Sequence, residues 1–338
     1  MKNKKIYFPE PRKAELVADS IDETSIPSGC MLVRTMYSMV SAGTERACYR
    51  GVEAWFPLPN TPGYSCVGQV IGKASDVTQV ENGDVIFFRG KHSLLQFYPV
   101  TGNFCKLPQG MNPMYAPIAR FFAIASTGIR MSKIELGDDV LVIGLGLIGN
   151  AAAQLAALQG GNVLAMDLSE ERCQQALNCG IAHVLNSGKS DNMESEIRNV
   201  FCGRKPSTVI DATGVPKVID QAIDYCAPDG RLILLGSPRG DCVGNITHFQ
   251  QHIHRFPFRV EVIGAHEQMC PAKQMPYVKH SCERNERIVL ELISEGKLKV
   301  ENLLTKLLPP CEAPTVYSEI DKGNPDYLGV LFDWTKEN

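Results

Sequence analysis

Two rhythms of apolar and polar positions divide the chain. From about Met31 to Val100, the runs "MLVRTMY", "CVGQVIG", "DVIFF" and "LLQFYPV" are separated by Gly, Pro and Asn, the spacing of short strands joined by turns. After Pro117, strand-length apolar runs alternate with helical patterns: "VLVIG" then "LIGNAAAQLAALQG", "NVLAMD" then "SEERCQQALNCG", "AHVLN", "STVIDATG" then "PKVIDQAIDYCAPDG", and "RLILLG". Strand, crossover helix and parallel strand in repetition predict a doubly wound sheet covered on both faces. The alternation stops at "RVEVIGA", Arg259 to Ala265. Beyond it lie a helix in "NERIVLELISEGK" and a closing strand in "LGVLFDW", too little for a separate sheet. The pattern therefore predicts an α/β chain: a β-rich domain over 1–116 completed by 266–338, and a doubly wound domain over 117–265.

One turn carries chemistry. "VIGLGLIG" sets Gly144, Gly146 and Gly149 in GxGxxG order between a strand and a helix, the context that gives this motif meaning. Gly144 permits the sharp turn, Gly146 leaves room for a pyrophosphate, and Gly149 lets helix and strand pack closely. The amides of Leu147 and Ile148 then face the phosphates from a positive helix end. Asp167 closes the next strand, 23 residues beyond Gly144. A carboxylate there accepts from both ribose hydroxyls and repels a 2′-phosphate, which favours NAD over NADP. Arg172 just downstream points the other way, and Asp167 also reads as a helix N-cap unless Ser169 takes that part. Thr213 with Gly214, and Gly236 with Ser237, end consecutive strands, where backbone groups are expected to touch the nicotinamide half or simply to terminate the strands.

Composition narrows the partners. At 338 residues the chain exceeds the size of a single core, so two domains are expected. Its 34 basic and 37 acidic residues are nearly balanced and form no block of one sign, which argues against nucleic acid or a membrane surface and for a small molecule. No apolar run reaches the ~20 residues of a membrane span, and Pro9 and Pro11 interrupt the amino-terminal stretch, so a cytoplasmic protein is expected. The twelve cysteines show no CxxC spacing and read as reduced, hydrophobe-like thiols.

The stretches "SAGTE", "TPGYSCVGQVIG", "GDVIFF", "ASTG", "VLVIGLGLIG", "MDLSEER", "VIDATG", "GRLILLG" and "VIGA", in this order, resemble the medium-chain dehydrogenase/reductase superfamily. The likeness covers nearly the whole chain. It implies a GroES-like β-rich catalytic domain plus a Rossmann doubly wound domain. Zinc-dependent members hold their metal at positions that here read Ala42, Tyr64, Ser65 and Ala123, and the lobe of four close cysteines is missing. Zinc needs N, S or carboxylate ligands, which alanine lacks, so no metal is expected. The zinc-free pattern and the "LFDW" ending are similar to bacteriochlorophyllide dehydrogenase-like proteins. "HEQMCPAKQMPYVKHSCERNERIVLELISEGKLKVENLL" is similar to guloside and glycoside dehydrogenases.

Without zinc, a side chain must take the proton of an alcohol or stabilise the alkoxide. The resemblance places Tyr64 on the turn facing the nicotinamide and Thr44 where relatives relay a proton. Tyr64 acts as a base only with a cation nearby, for which Lys91 is a candidate; otherwise it fills the metal's volume. His92 has the ionisation suited to a base, but alternation turns Lys91 and His92 to opposite sides, and a solvated role is open to each. Glu45 matches an acid near the metal in relatives, or forms a salt bridge to Arg120 or Arg46. Ser65, His266 and Glu267 are candidate substrate-pocket residues. In "HFQQHIHRF", His248, His252 and His254 lack a neighbouring carboxylate or cysteine and read as surface or interface residues. The expected function is zinc-independent, NAD-dependent oxidation of a secondary alcohol of a sugar, glycoside or cyclitol. An NAD(P)H-dependent quinone or enoyl reductase and a non-catalytic NAD-binding protein are the alternatives. The resemblance also implies a homodimer or homotetramer joined through "RVEVIGA".

Overall fold

A computed structural model describes residues 1–337. The chain divides into two compact units, Met1–Arg120 with Glu286 onward, and Phe121–Asn285. In the first unit, β1 (Lys2–Tyr7) and β2 (Glu15–Ser20) form an antiparallel hairpin that the sequence pattern did not predict. The apolar runs become β3 (Cys30–Met39), β4 (Cys66–Lys73), β5 (Val85–Phe88) and β6 (Leu95–Pro99), joined by the short β7 (Phe104–Lys106). Between β3 and β4 lies the helix α1 (Ala42–Tyr49), which contains most of "SAGTE".

The chain then passes through α2 (Ala119–Ser132) into the second unit. There β8 (Asp139–Ile143), α3 (Leu147–Gln159), β9 (Asn162–Asp167), α4 (Glu170–Asn178), β10 (His183–Asn186), α5 (Met193–Val200), β11 (Thr208–Asp211), α6 (Pro216–Tyr225), β12 (Arg231–Leu234), α7 (Ile246–His254) and β13 (Glu261–Gly264) follow one another. The six strands are parallel in the order β10-β9-β8-β11-β12-β13, so the chain reverses direction across the sheet between β8 and β11. Every residue of β8 is buried, as expected of a central strand with both faces covered.

The return falls at residue 286 and not at 266. The Cys282 and Glu283 amides donate to the carbonyls of Pro271 and Ala272 at 2.9 and 3.0 Å, and Arg130 on α2 donates to Asn285 at 2.9 Å. The first two bonds fold 266–285 on itself, and the Arg130 bond ties its end to the second unit. The helix α8 (Cys282–Ser294) crosses the division. Then β14 (Lys306–Leu308), α9 (Ala313–Lys322) and β15 (Val330–Asp333) complete the first unit, with β15 antiparallel to β3.

The core of the first unit is aromatic. Phe8 meets Tyr317 of α9 edge to face at 4.7 Å, Tyr49 of α1 stacks on Tyr317 at 5.7 Å, and Phe332 and Trp334 are fully buried in the same cluster. Such rings bury large areas and lock one another's rotamers, which fixes α1 and its polar residues. All twelve cysteines are free. Burial pushes the thiols of Cys66 and Cys226 up, that of Cys226 to about 12, so these two pack as small hydrophobes. No helix among the described residues is long and apolar enough to cross a membrane.

Candidate functional site

In the second unit the glycine turn has the anatomy its spacing implies. Gly144 has φ +90°, and a Cβ there would lie 2.6 Å from the Thr213 methyl. A Cβ on Gly149 would lie 1.7 Å from the Gly144 carbonyl oxygen, so helix and strand meet only because that atom is missing. Gly146, the N-cap of α3, is different: its Cβ would meet nothing within 4 Å. The space stands at the start of α3, where the amides of Leu147 and Ile148 precede the first intrahelical bonds and carry the positive end of the helix dipole. These residues fit a pyrophosphate.

Asp167 is 9% exposed at the end of β9. Its Oδ2 accepts from the Leu145 amide at 2.7 Å and its Oδ1 from the Ser169 amide at 2.9 Å, which ties the carboxylate to the glycine turn. Ser169 is the cap of α4, accepting from the Arg172 amide, so Asp167 does not fill that part. Arg172 turns back on Asp167, with Nη1 3.6 Å from Oδ2. At the ends of β11 and β12 two backbones interlock: a Cβ on Gly214 would be 2.3 Å from the Ser237 carbonyl oxygen, and one on Gly236 would be 2.3 Å from the Gly214 amide nitrogen. The buried Asp211 fixes this corner by accepting from Thr213 and from the Gly214 amide. Burial pushes its carboxyl up, against the pull of those hydrogen bonds. Thr213, Gly214, Gly236 and Ser237 therefore have a packing reason for being there besides any contact with a ligand.

In the first unit, Tyr64 donates a hydrogen bond to Ser41 Oγ, and the Thr44 hydroxyl also bonds the phenol. Burial pushes the phenol up, while Ser41, the Arg120 charge and Thr44 pull it part of the way back. The cation beside it is Arg120, whose guanidinium lies 5.4 Å from the ring centroid. Lys91, the expected cation, is exposed, with its ammonium 3.4 Å from Asn60 Oδ1. Arg120 is only 5% exposed and is held by the buried Glu286 carboxylate at 3.8 Å, which also accepts from Arg89 at 2.6 Å. The pattern around Tyr64 alone could not reveal it, because Arg120 lies 56 residues downstream.

His92 and Glu45 belong to a second, closed network. His92 has no exposed surface; its Nε2 donates to Glu45 Oε2 at 3.0 Å and its Nδ1 accepts from Ser38 Oγ at 2.7 Å. Glu45 also accepts from Tyr317 at 2.6 Å and from the Ser41 amide at 2.9 Å, and Trp334 donates to Ser38 at 2.8 Å. Both ring nitrogens of His92 are thus engaged, which removes it as an available base. Glu45 pairs with this imidazole. Ser38, Tyr317 and Trp334 carry the network, and their distance along the chain hid them.

Ser65 is fully buried and donates to the Pro117 carbonyl, so its hydroxyl does not line an open pocket. In the second unit, His266 is exposed and accepts from the Gln268 amide at 3.3 Å, capping a short turn, with Glu267 half-buried beside it. Ala42 opens α1 and Ala123 is buried on α2. The positions Ala42, Tyr64, Ser65 and Ala123 thus offer one phenol and one committed hydroxyl, which do not fit zinc. Among the described residues, the one group of three His, Cys, Asp or Glu ligand atoms that converges lies elsewhere, at Asp224, His248 and His252.

Residues 148–267 match the family model for zinc-binding dehydrogenases. The chain is similar to D-guloside 3-dehydrogenase of Escherichia coli K12, with 25% identity over 97% of this chain and 100% of that protein. It is also similar to 2-desacetyl-2-hydroxyethyl bacteriochlorophyllide A dehydrogenase of Cereibacter sphaeroides, with 23% identity over 99% of each. Among solved structures, galactitol-1-phosphate dehydrogenase from Escherichia coli shares the fold, with a TM-score of 0.80 and 18% identity over 98% of this chain and 99% of that one. Other solved structures of the same fold are in complex with NADP and with NADH.

Proposed function

The chain belongs to the zinc-type medium-chain dehydrogenase/reductase superfamily, and from that premise we propose that it oxidises a secondary hydroxyl of a sugar, glycoside or cyclitol with NAD and without a catalytic metal. The observation that carries this reading is the hydroxyl cluster of Tyr64, Ser41 and Thr44 beside the Arg120 guanidinium, where zinc-dependent members keep metal ligands. The nicotinamide, when bound, supplies the hydride acceptor. The residues supply the rest.

Loss of hydride from a secondary alcohol requires its hydroxyl proton to leave. Because burial pushes the Tyr64 phenol up, it is protonated at neutral pH and acts as a relay. Its oxygen accepts the substrate proton as its own proton moves to Ser41 Oγ, which passes its hydroxyl proton on to water, and the fixed charge of Arg120 favours the negative charge that develops on the substrate oxygen on the way. NAD is preferred because the Asp167 carboxylate opposes a 2′-phosphate and Arg172 is turned onto that carboxylate. Similarity to a dehydrogenase named for D-guloside supports a polyhydroxylated substrate. The outer edge of β13 leaves a row of backbone groups for a second copy to pair with, which supports a homo-oligomer.

The test is a panel of polyols, glycosides and cyclitols offered with NAD and with NADP. The proposal expects NADH formation on members with a secondary hydroxyl. Turnover restricted to NADPH with quinone or enoyl acceptors would contradict it.

A further inference from the structure

The histidine-rich helix acquires through folding the carboxylate that its own sequence lacks. Asp224, in the last turn of α6, meets the face of α7 that carries His248 and His252. His248 Nε2 lies 2.8 Å and His252 Nε2 3.2 Å from the same Asp224 oxygen, and the three ligand atoms lie within 4.8 Å of one another. His254 is outside the group.

The placement of protons at His252 is informative. Its Nδ1 is 3.1 Å from the His248 carbonyl oxygen, and a carbonyl only accepts, so Nδ1 carries the hydrogen. Nε2 is then the nitrogen that faces the carboxylate oxygen, and either a proton or a metal ion joins the two. Asp224 adds to the demand for positive charge, since it stands at the C-terminal end of α6, where the helix dipole is already negative.

We propose that Asp224, His248 and His252 form a site for a divalent transition ion of the zinc class, clamping α6 to α7. Two imidazole nitrogens at i and i+4 with one carboxylate oxygen are a donor set suited to zinc, and the His252 bond to a backbone carbonyl orients the ring as metal-bound histidines require. Ligands around a tetrahedral zinc at bonds of ~2.0–2.1 Å stand about 3.3 Å apart, so the two separations from the Asp224 oxygen need to open by only a few tenths of an ångström, and the third pair lies within 4.8 Å. His248 and Asp224 are 42% and 44% exposed, which gives the ion a path in and leaves its fourth position to water. The site is independent of the hydride-transfer reading and of the Tyr64 region.

The full chain, stripped with chelator and then dialysed against micromolar zinc, is to be assayed for bound metal and for melting temperature, with cobalt as an optical probe. One zinc per chain, a zinc-dependent rise in melting temperature and a tetrahedral cobalt spectrum are expected. His248→Ala and Asp224→Asn, both at part-exposed positions, should weaken zinc binding at least ~10-fold. His254→Ala should leave it unchanged. No stoichiometric zinc in the native chain, or equal retention in His248→Ala and Asp224→Asn, would overturn the site and leave an imidazolium–carboxylate pair in its place.

Discussion

The glycine turn of the second unit and the hydroxyl cluster of the first are built by opposite means. In the turn, function is written in missing atoms: Gly149 and Gly144 touch so closely that any side chain collides, while Gly146 faces open space. All the parts lie within one strand, one turn and one helix. In the first unit, function is written in side chains gathered from across the chain, with Tyr64 and Ser41 from neighbouring loops and Arg120 held by Glu286 from far downstream. The first kind of site tolerates no added volume. The second depends on its polar atoms.

The largest effect should come from Gly149→Ala. Its methyl would overlap a backbone carbonyl at 1.7 Å, so we expect a loss above ~4 kcal/mol and little folded protein, read by calorimetry and soluble yield. A mild loss would show that the turn can relax and that the contrast is overdrawn. Next is Tyr64→Phe, which keeps volume and removes the relay oxygen. It should lower kcat about 10²- to 10³-fold with NAD affinity unchanged, measured by steady-state kinetics and cofactor titration. Asp167→Asn should narrow the preference for NAD over NADP by about 10-fold, read as a ratio of dissociation constants, because the repulsive charge is removed while an acceptor for the Leu145 amide remains.

The smallest effect concerns pH. Burial, then the charges of Arg130, Arg284 and Lys279, lower the His280 imidazole to about 4. The folded chain therefore resists a proton that the unfolded chain accepts near 6.5. Stability contributed by neutral His280 is full above that pH and is lost as pH falls towards 4. His280→Asn should flatten the stability curve in that window and leave it unchanged at pH 8, as followed by denaturant titration.

What the sequence disclosed follows the same division. The strand-helix alternation, the glycine turn, Asp167 and the Ser169 cap were legible because backbone conformation and helix capping depend on residues a few positions apart. Tyr64 and Thr44 were singled out through resemblance, and the structure shows the two hydroxyls bonded to one another. Arg120 as the neighbouring cation, the burial of His92 and the commitment of Ser65 to Pro117 were not legible, since each depends on a partner remote along the chain. The hairpin of β1 and β2 was hidden by its charged residues, with Lys4 and Lys5 inside the first strand. Asp224 beside His248 and His252 was hidden in the same way, although the i, i+4 spacing was visible.

The central claim is that the proton of the reacting hydroxyl is handled by Tyr64 and its neighbours and not by a metal. The direct measurement is NAD-linked turnover after exhaustive chelation, made in the native chain and in His248→Ala so that an ion between α6 and α7 does not confuse the result. The account predicts undiminished turnover in both; turnover that vanishes on chelation and returns with zinc in both would contradict it.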